Sequence, residues 1–240
     1  MKYKRAFKHK ETSCNITADS EAAIEAAILS IKHHRSQLER YIRTHPKFLH
    51  SLKPIHVEKG PTIVRLMAEA AERADVGPMA AVAGALADLA VEDMISTGAK
   101  IAVVENGGEV YAVSNTPVNV ALAAGDSPFS KRIGFRLEDF PIGVATSSGL
   151  YSHALSFGEA EAVTVFAVNA GVADAAATAV GNLVKGEDWR KAVECGIGKV
   201  LSIEGVKGVL ILYRGLVGKA GQIPKIVKVS SESKSSKSVL

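Results

Sequence analysis

The sequence predicts an α+β fold of two pseudo-repeated units, in which antiparallel strands pack against helices. Two strand-turn-strand stretches, "AKIAVVENGGEVYAVS" and "KGVLILYRGLVGKAG", each close one half of the chain. A hairpin needs no crossover helix, so antiparallel pairing follows. Helical periodicity then separates the strand segments, and the composition is 47% hydrophobic but only 5% aromatic. Helices rich in Ala, Val and Gly either pack closely on neighbours or leave backbone open to a ligand.

Tyr and Phe in "MKYKRAFKHK" and the polar run "ETSCNITADS" suggest two opening strands. A long helix follows, with Asp19 or Ser20 as its cap, a stripe of Ala22, Ile24, Ala27, Ile28, Ile31 and Leu38, and Pro46 as its stop. A connector leads to helices over 62–73 and 78–97, and then to the first hairpin, whose "NGG" supplies positive φ angles. In the second half "VNVALAAG", "SKRIGFRL", "IGVATSS" and "AVTVFAV" read as strands. Helices over 170–184 and 187–201 and the second hairpin complete it. The expected organisation is a single domain over 1–229, with units of 1–116 and 117–229. The remaining "SSESKSSKSVL" over 230–240 has the composition of a disordered tail.

Charge excludes little but directs attention. The net charge is +6 over residues 1–60, −8 over 61–180 and +6 over 181–240. Basic residues are dispersed, with no stripe of interleaved aromatics, which argues against a nucleic-acid partner. The acidic middle is compatible with a hard cation. The basic start lacks an apolar region, the most apolar run is broken by Asn169 and Asp174, and there are two cysteines, Cys14 and Cys195. A soluble cytoplasmic protein with no membrane segment and no disulfide framework is expected. An unpaired strand edge in each unit leaves a homo-oligomer open.

Three stretches carry candidate chemistry. In "AVNAGVADAAATAVGN", Asp174 and Thr178 stand four residues apart, on one helix face. A carboxylate and a hydroxyl suit Mg²⁺, and the intervening alanines are expected to leave room beside them. Spacing alone equally allows a carboxylate at a helix start and a back-bonded threonine. "VENGGEVY" offers Asn106, Gly107, Gly108 and Glu109 in a turn that is either a plain hairpin or a close approach to a ligand. "VATSSGLYSHALSFG" places Thr146, Ser147, Ser148 and Gly149 at a strand end, with His153 behind them as a candidate general base. Walker, Rossmann, HExxH and GxSxG motifs are absent.

In order, "NGGEV", "ATSSG", "AVTVFA" and "ADAAATA" resemble the ApbE superfamily, whose characterised members are FAD:protein FMN transferases. "TSSG…H.LSFG.A.AV" and "ADAAATAVGN" look like an uncharacterised prokaryotic branch of it. The resemblance implies a tandem T-fold-like architecture with a nucleotide cleft between the halves. It further implies that Asp174 and Thr178 hold Mg²⁺ at the FAD pyrophosphate. Asn106, Gly107, Gly108, Glu109, Thr146, Ser147, Ser148 and Gly149 would then bind FAD, FMN or another nucleotide. The family's "H-I-x-D-P-x-T-G" is replaced here by "LYSHALSFGEAEA", which leaves His153 as the nearby candidate base, and Ala83 stands before Gly84 where the family carries Lys. Two readings follow: a Mg²⁺-dependent flavin or nucleotide binder that transfers FMN or a phosphoryl group, and a non-catalytic binding or assembly module.

Overall fold

The computed structural model describes residues 2–122, 132–149 and 158–229. His153 and the tail expected over 230–240 lie outside them. The chain opens with β1 (Tyr3–His9), β2 (Thr12–Ala18), α1 (Glu21–Thr44), α2 (Pro46–His50) and α3 (Thr62–Ala74). A 3₁₀ turn (Pro78–Ala81) then leads into α4 (Val82–Ser96), β3 (Ile101–Asn106) and β4 (Glu109–Ser114). The remainder is β5 (Val118–Ala121), β6 (Ile133–Leu137), β7 (Ile142–Ser147), β8 (Ala162–Ala167), α5 (Ala170–Leu183), α6 (Trp189–Leu201), β9 (Val206–Tyr213), β10 (Leu216–Gly221) and β11 (Lys225–Lys228).

Eight strands form one antiparallel sheet in the order β1-β2-β3-β4-β7-β8-β9-β10. Local chemistry explains its first elements. β2 alternates buried and exposed positions, and Ser20 Oγ caps α1 by accepting from the Ala23 N–H at 3.2 Å. Gly107 and Gly108, with φ of 75° and 135°, make the turn between β3 and β4, a backbone region that L side chains adopt only under strain.

The sequence reading expects β5 and β6 as strands without giving their partners. They pair with each other and with β11 in a separate three-stranded sheet, β11-β6-β5. Period-two alternation reports a half-buried strand but not its partner. This small sheet covers the face of the large one that is turned away from α4 and α5. Phe135 meets Phe166 edge to face there at 4.8 Å, within a cluster that includes Val103, Val110, Val144 and Leu210.

On the other face α4 and α5 lie against the centre of the sheet, α1 flanks them over β1 and β2 and α6 over β9 and β10, and α3 packs outside α4 and α5. Their small side chains serve that central position. Ala175, Ala176 and Ala177 are at most 1% exposed, and Ala179 is 6% exposed. The alanines are therefore filled core contacts, not the open room expected beside Asp174. Periodicity cannot tell a small residue facing space from one facing a close neighbour. No single helix among the described residues is long and apolar enough to cross a membrane.

Candidate functional site

Asn169 starts α5 by accepting the Val172 N–H on its side chain at 2.9 Å. One helical stripe of α5, Asp174, Thr178 and Asn182, remains half-buried, while the rest of the helix up to Gly181 is buried. Asp174 and Thr178 thus share the most open line of an otherwise packed helix. Thr178 lines a groove of about 610 Å³ with Leu52, Val76, Met79, Ala80 and Leu183, and Lys53 and Lys199 stand on its walls. Leu52 and Leu183 are 60% and 45% exposed, so apolar surface is available to a ligand. A second groove, of about 620 Å³, runs along β1, β2, β3 and β5 on the opposite face of the large sheet and reaches Gly108 and Glu105. Size does not choose between them; the first has the hydroxyl and, one turn away, the carboxylate.

Asp174 is not a free carboxylate. Its Oδ2 accepts the Gly84 N–H at 3.0 Å, and the Ala83 amide also stabilises its charged form. These amides belong to the first turn of α4, so Asp174 caps a different helix from its own. Burial nevertheless raises its pKa well above the usual carboxylate range, and the nearby Glu109 and Asp88 raise it further. Glu109 is itself pushed up to about 7, chiefly by burial. Both carboxyls therefore resist ionisation, through burial first and mutual repulsion second, and a divalent cation would favour their ionised forms.

The hairpin turn comes to this place through Asn106, which is buried and whose Nδ2 donates to Ala83 O at 3.0 Å. That bond joins the turn to the first turn of α4. Gly107 is exposed, while Gly108 and Glu109 are half-buried. The hydroxyls at the end of β7 are divided between two faces. Thr146 Oγ1 lies 2.9 Å from Thr164 Oγ1, on the face toward the small sheet. Ser147 points to α5, where a Cβ on Gly181 would sit 3.1 Å from its Oγ. Ser148 is buried, and the Gly149 N–H donates to Ala160 O at 2.9 Å. Thr146 and Ser147 therefore do not face one pocket together, because successive strand residues alternate sides.

Asp88 is the residue that sequence reasoning missed. It is 4% exposed in the middle of α4, with Oδ1 accepting the Ala170 N–H at 2.7 Å and Oδ2 the Gly171 N–H at 2.9 Å. It caps α5 as Asp174 caps α4. Gly84 permits the crossing: a Cβ there would lie 2.2 Å from Ala170 O. A signal was present, since "AGALAD" at 83–88 and "AGVAD" at 170–174 both run from Ala-Gly to Asp.

No group of three or more His, Cys, Asp or Glu arranged to hold a metal occurs among the described residues. A cation at Asp174 and Thr178 would take its remaining ligands from water or phosphate, and Mg²⁺ behaves in this way. The donor set fits such an ion and offers nothing to a softer one.

The sequence matches the family described as AbpE bacteria over residues 2–198. It is 41% identical to a UPF0280 protein of Methanosarcina acetivorans, over 94% of this chain and 89% of that one. The ApbE protein of Thermotoga maritima superposes with a TM-score of 0.62 at 16% identity, covering 92% of this chain and 97% of its own. The apo flavinyl transferase ApbE of Pseudomonas stutzeri gives 0.60 at 16% identity, covering 92% and 94%. At that identity the likeness shows the fold: mixed α/β with antiparallel sheets, as in the ApbE structures. The chain belongs to the family described as AbpE bacteria, in company with the UPF0280 proteins.

Proposed function

We propose that the chain binds a flavin or other nucleotide together with Mg²⁺ and transfers its FMN or phosphoryl group. The observation that carries this is the stripe of Asp174 and Thr178, which stays partly open on a mostly buried helix and adjoins an apolar groove. Asp174 and Thr178 would hold the ion. Asn106, Gly107, Gly108 and Glu109 would border the ligand from the hairpin side, and Ser147, Ser148 and Gly149 from the end of β7. The groove beside Thr178 offers apolar walls to a ring system and two lysines to phosphate. Bound Mg²⁺ would neutralise phosphate charge and make the nucleotide portion a better leaving group. His153 lies in the segment between Gly149 and Gly158 and would take the proton of an acceptor hydroxyl. The flavinyl transferase named for Pseudomonas stutzeri supports the reading through its fold.

One observation favours a second reading, a binding module without catalysis. Asp174 is already engaged by the first turn of α4, an arrangement that explains its presence without any metal. Calorimetry with FAD, FMN and ADP, with and without Mg²⁺, together with analysis for released AMP, separates the two. The transferase reading expects Mg²⁺-dependent affinity, a release product, and loss of both in Asp174→Ala. Ligand binding without any product would favour the module. If no flavin or nucleotide binds in either condition, the proposal fails.

A further inference from the structure

Asp88 and Asp174 form a closed circuit. The first turn of α4 donates Gly84 N–H to Asp174 on α5, and the first turn of α5 donates Ala170 and Gly171 N–H to Asp88 on α4. Each carboxylate therefore fixes the helix start that lies about one turn from the other carboxylate. The crossing leaves no slack, because a Cβ on Gly84 would overlap Ala170 O, and one on Gly171 would stand 3.0 Å from Asp88 Oδ2. Only the Asp174 side retains access to solvent; Asp88 has both oxygens occupied and is enclosed.

We propose that Asp88 is a positioning residue for the cation site, acting through α5 on Asp174 and Thr178. This rests on the reading of those two residues as metal ligands. A side chain that fixes the segment bearing a ligand sets the ligand's direction, and losing such support weakens metal affinity by roughly 10- to 100-fold. Without Asp88 the Ala170 and Gly171 amides lose their acceptor, and the first turn of α5 is held by the Asn169 cap alone. Asp174 then loses its alignment with both Gly84 and Thr178. Asp88 itself would touch neither the cation nor the nucleotide.

The test uses the full chain and Mn²⁺ alone, with free ion followed by electron paramagnetic resonance. Asp88→Asn, which keeps one acceptor oxygen, is expected to weaken Mn²⁺ binding about tenfold, and Asp88→Ala to weaken it further. Asp174→Asn is expected to abolish binding. Ser20→Ala is the control for stability, because it removes the cap of α1 and leaves the α4–α5 crossing intact. It should lower the melting temperature while leaving Mn²⁺ affinity unchanged. If Asp88→Ala does not fold, Asp88→Asn carries the test. Wild-type affinity in the Asp88 variants, with loss in Asp174→Asn, would overturn the positioning role and spare the metal site. Wild-type affinity in Asp174→Asn would overturn the metal reading and this proposal with it. An equal loss of affinity in Ser20→Ala would show that affinity merely follows stability, and would also overturn it.

Discussion

Asp88 and Asp174 do the same structural work at two corresponding places and differ in one respect. Each lies in an alanine-rich central helix, and each accepts amides from the first turn of the other helix. Asp88 is enclosed, with both oxygens satisfied, whereas Asp174 lies on a half-buried stripe beside Glu109, with Thr178 one turn further along. The pair teaches that capping and ligand binding are not alternatives. The same hydrogen-bonded carboxylate is structural when sealed and available for chemistry when one side stays open.

The contrast can be broken most severely at the crossing itself. Gly84→Ala places a Cβ within 2.2 Å of backbone at Ala170 O, where no flexible side chain can yield. A loss of about 3 kcal/mol or more is expected from forcing the helices apart. Urea unfolding would measure it, and a loss below about 1 kcal/mol would show that the helices can separate freely.

Asp88→Ala comes next, because it strands two buried N–H groups at about 1–3 kcal/mol each. Asp174→Ala strands the Gly84 amide but removes a carboxylate crowded by Glu109, and these effects oppose each other. Its stability should change by no more than about 1 kcal/mol while nucleotide binding is lost. Equal destabilisation by the two alanine variants would erase the distinction drawn here.

A pH-dependent effect also follows from burial. Asp88 is raised from the ordinary value of 3.8 to about 7 by burial, which outweighs the lowering effect of its two amide donors. The native state therefore keeps this proton to higher pH than the unfolded chain does. Its stabilising contribution is complete below about pH 4 and is lost as the pH rises through about 7. Across that window the group adds a downward slope of up to about 1.4 kcal/mol per pH unit. Denaturant titrations of wild type and Asp88→Asn should diverge with this slope, and parallel curves would remove the assignment. Ser20→Ala, which removes the cap of α1 and none of the bonds at the crossing, should cost only about 1 kcal/mol by thermal or urea unfolding.

The sequence made Asp174 and Thr178 visible because an i, i+4 pair on a helix shares a face wherever the helix is placed. It could not say that the carboxylate caps α4, since the residues joined are 90 apart in the chain. Asp88 stood out as the one charge inside "AVAGALADLAV", but its purpose lies in α5. The alanines were misread for a related reason: their neighbours on α3, α4, β7 and β8 come from elsewhere in the chain. Hairpins, being local, were legible from "NGG" and "YRG". Membership in the small sheet was not, because "VNVA" and "KIVK" carry no mark of the strand between them.

The crossed caps have a consequence for inheritance. A segment ending near Asn115 would contain α4 without the carboxylate that caps it, and a segment beginning near Pro117 would contain α5 without its own. Neither could drift away from its counterpart in sequence or orientation without taking from these helix amides the acceptors they now have. If the two halves descend from one ancestral unit, that unit already had this contact available, with a second copy of itself as the donor.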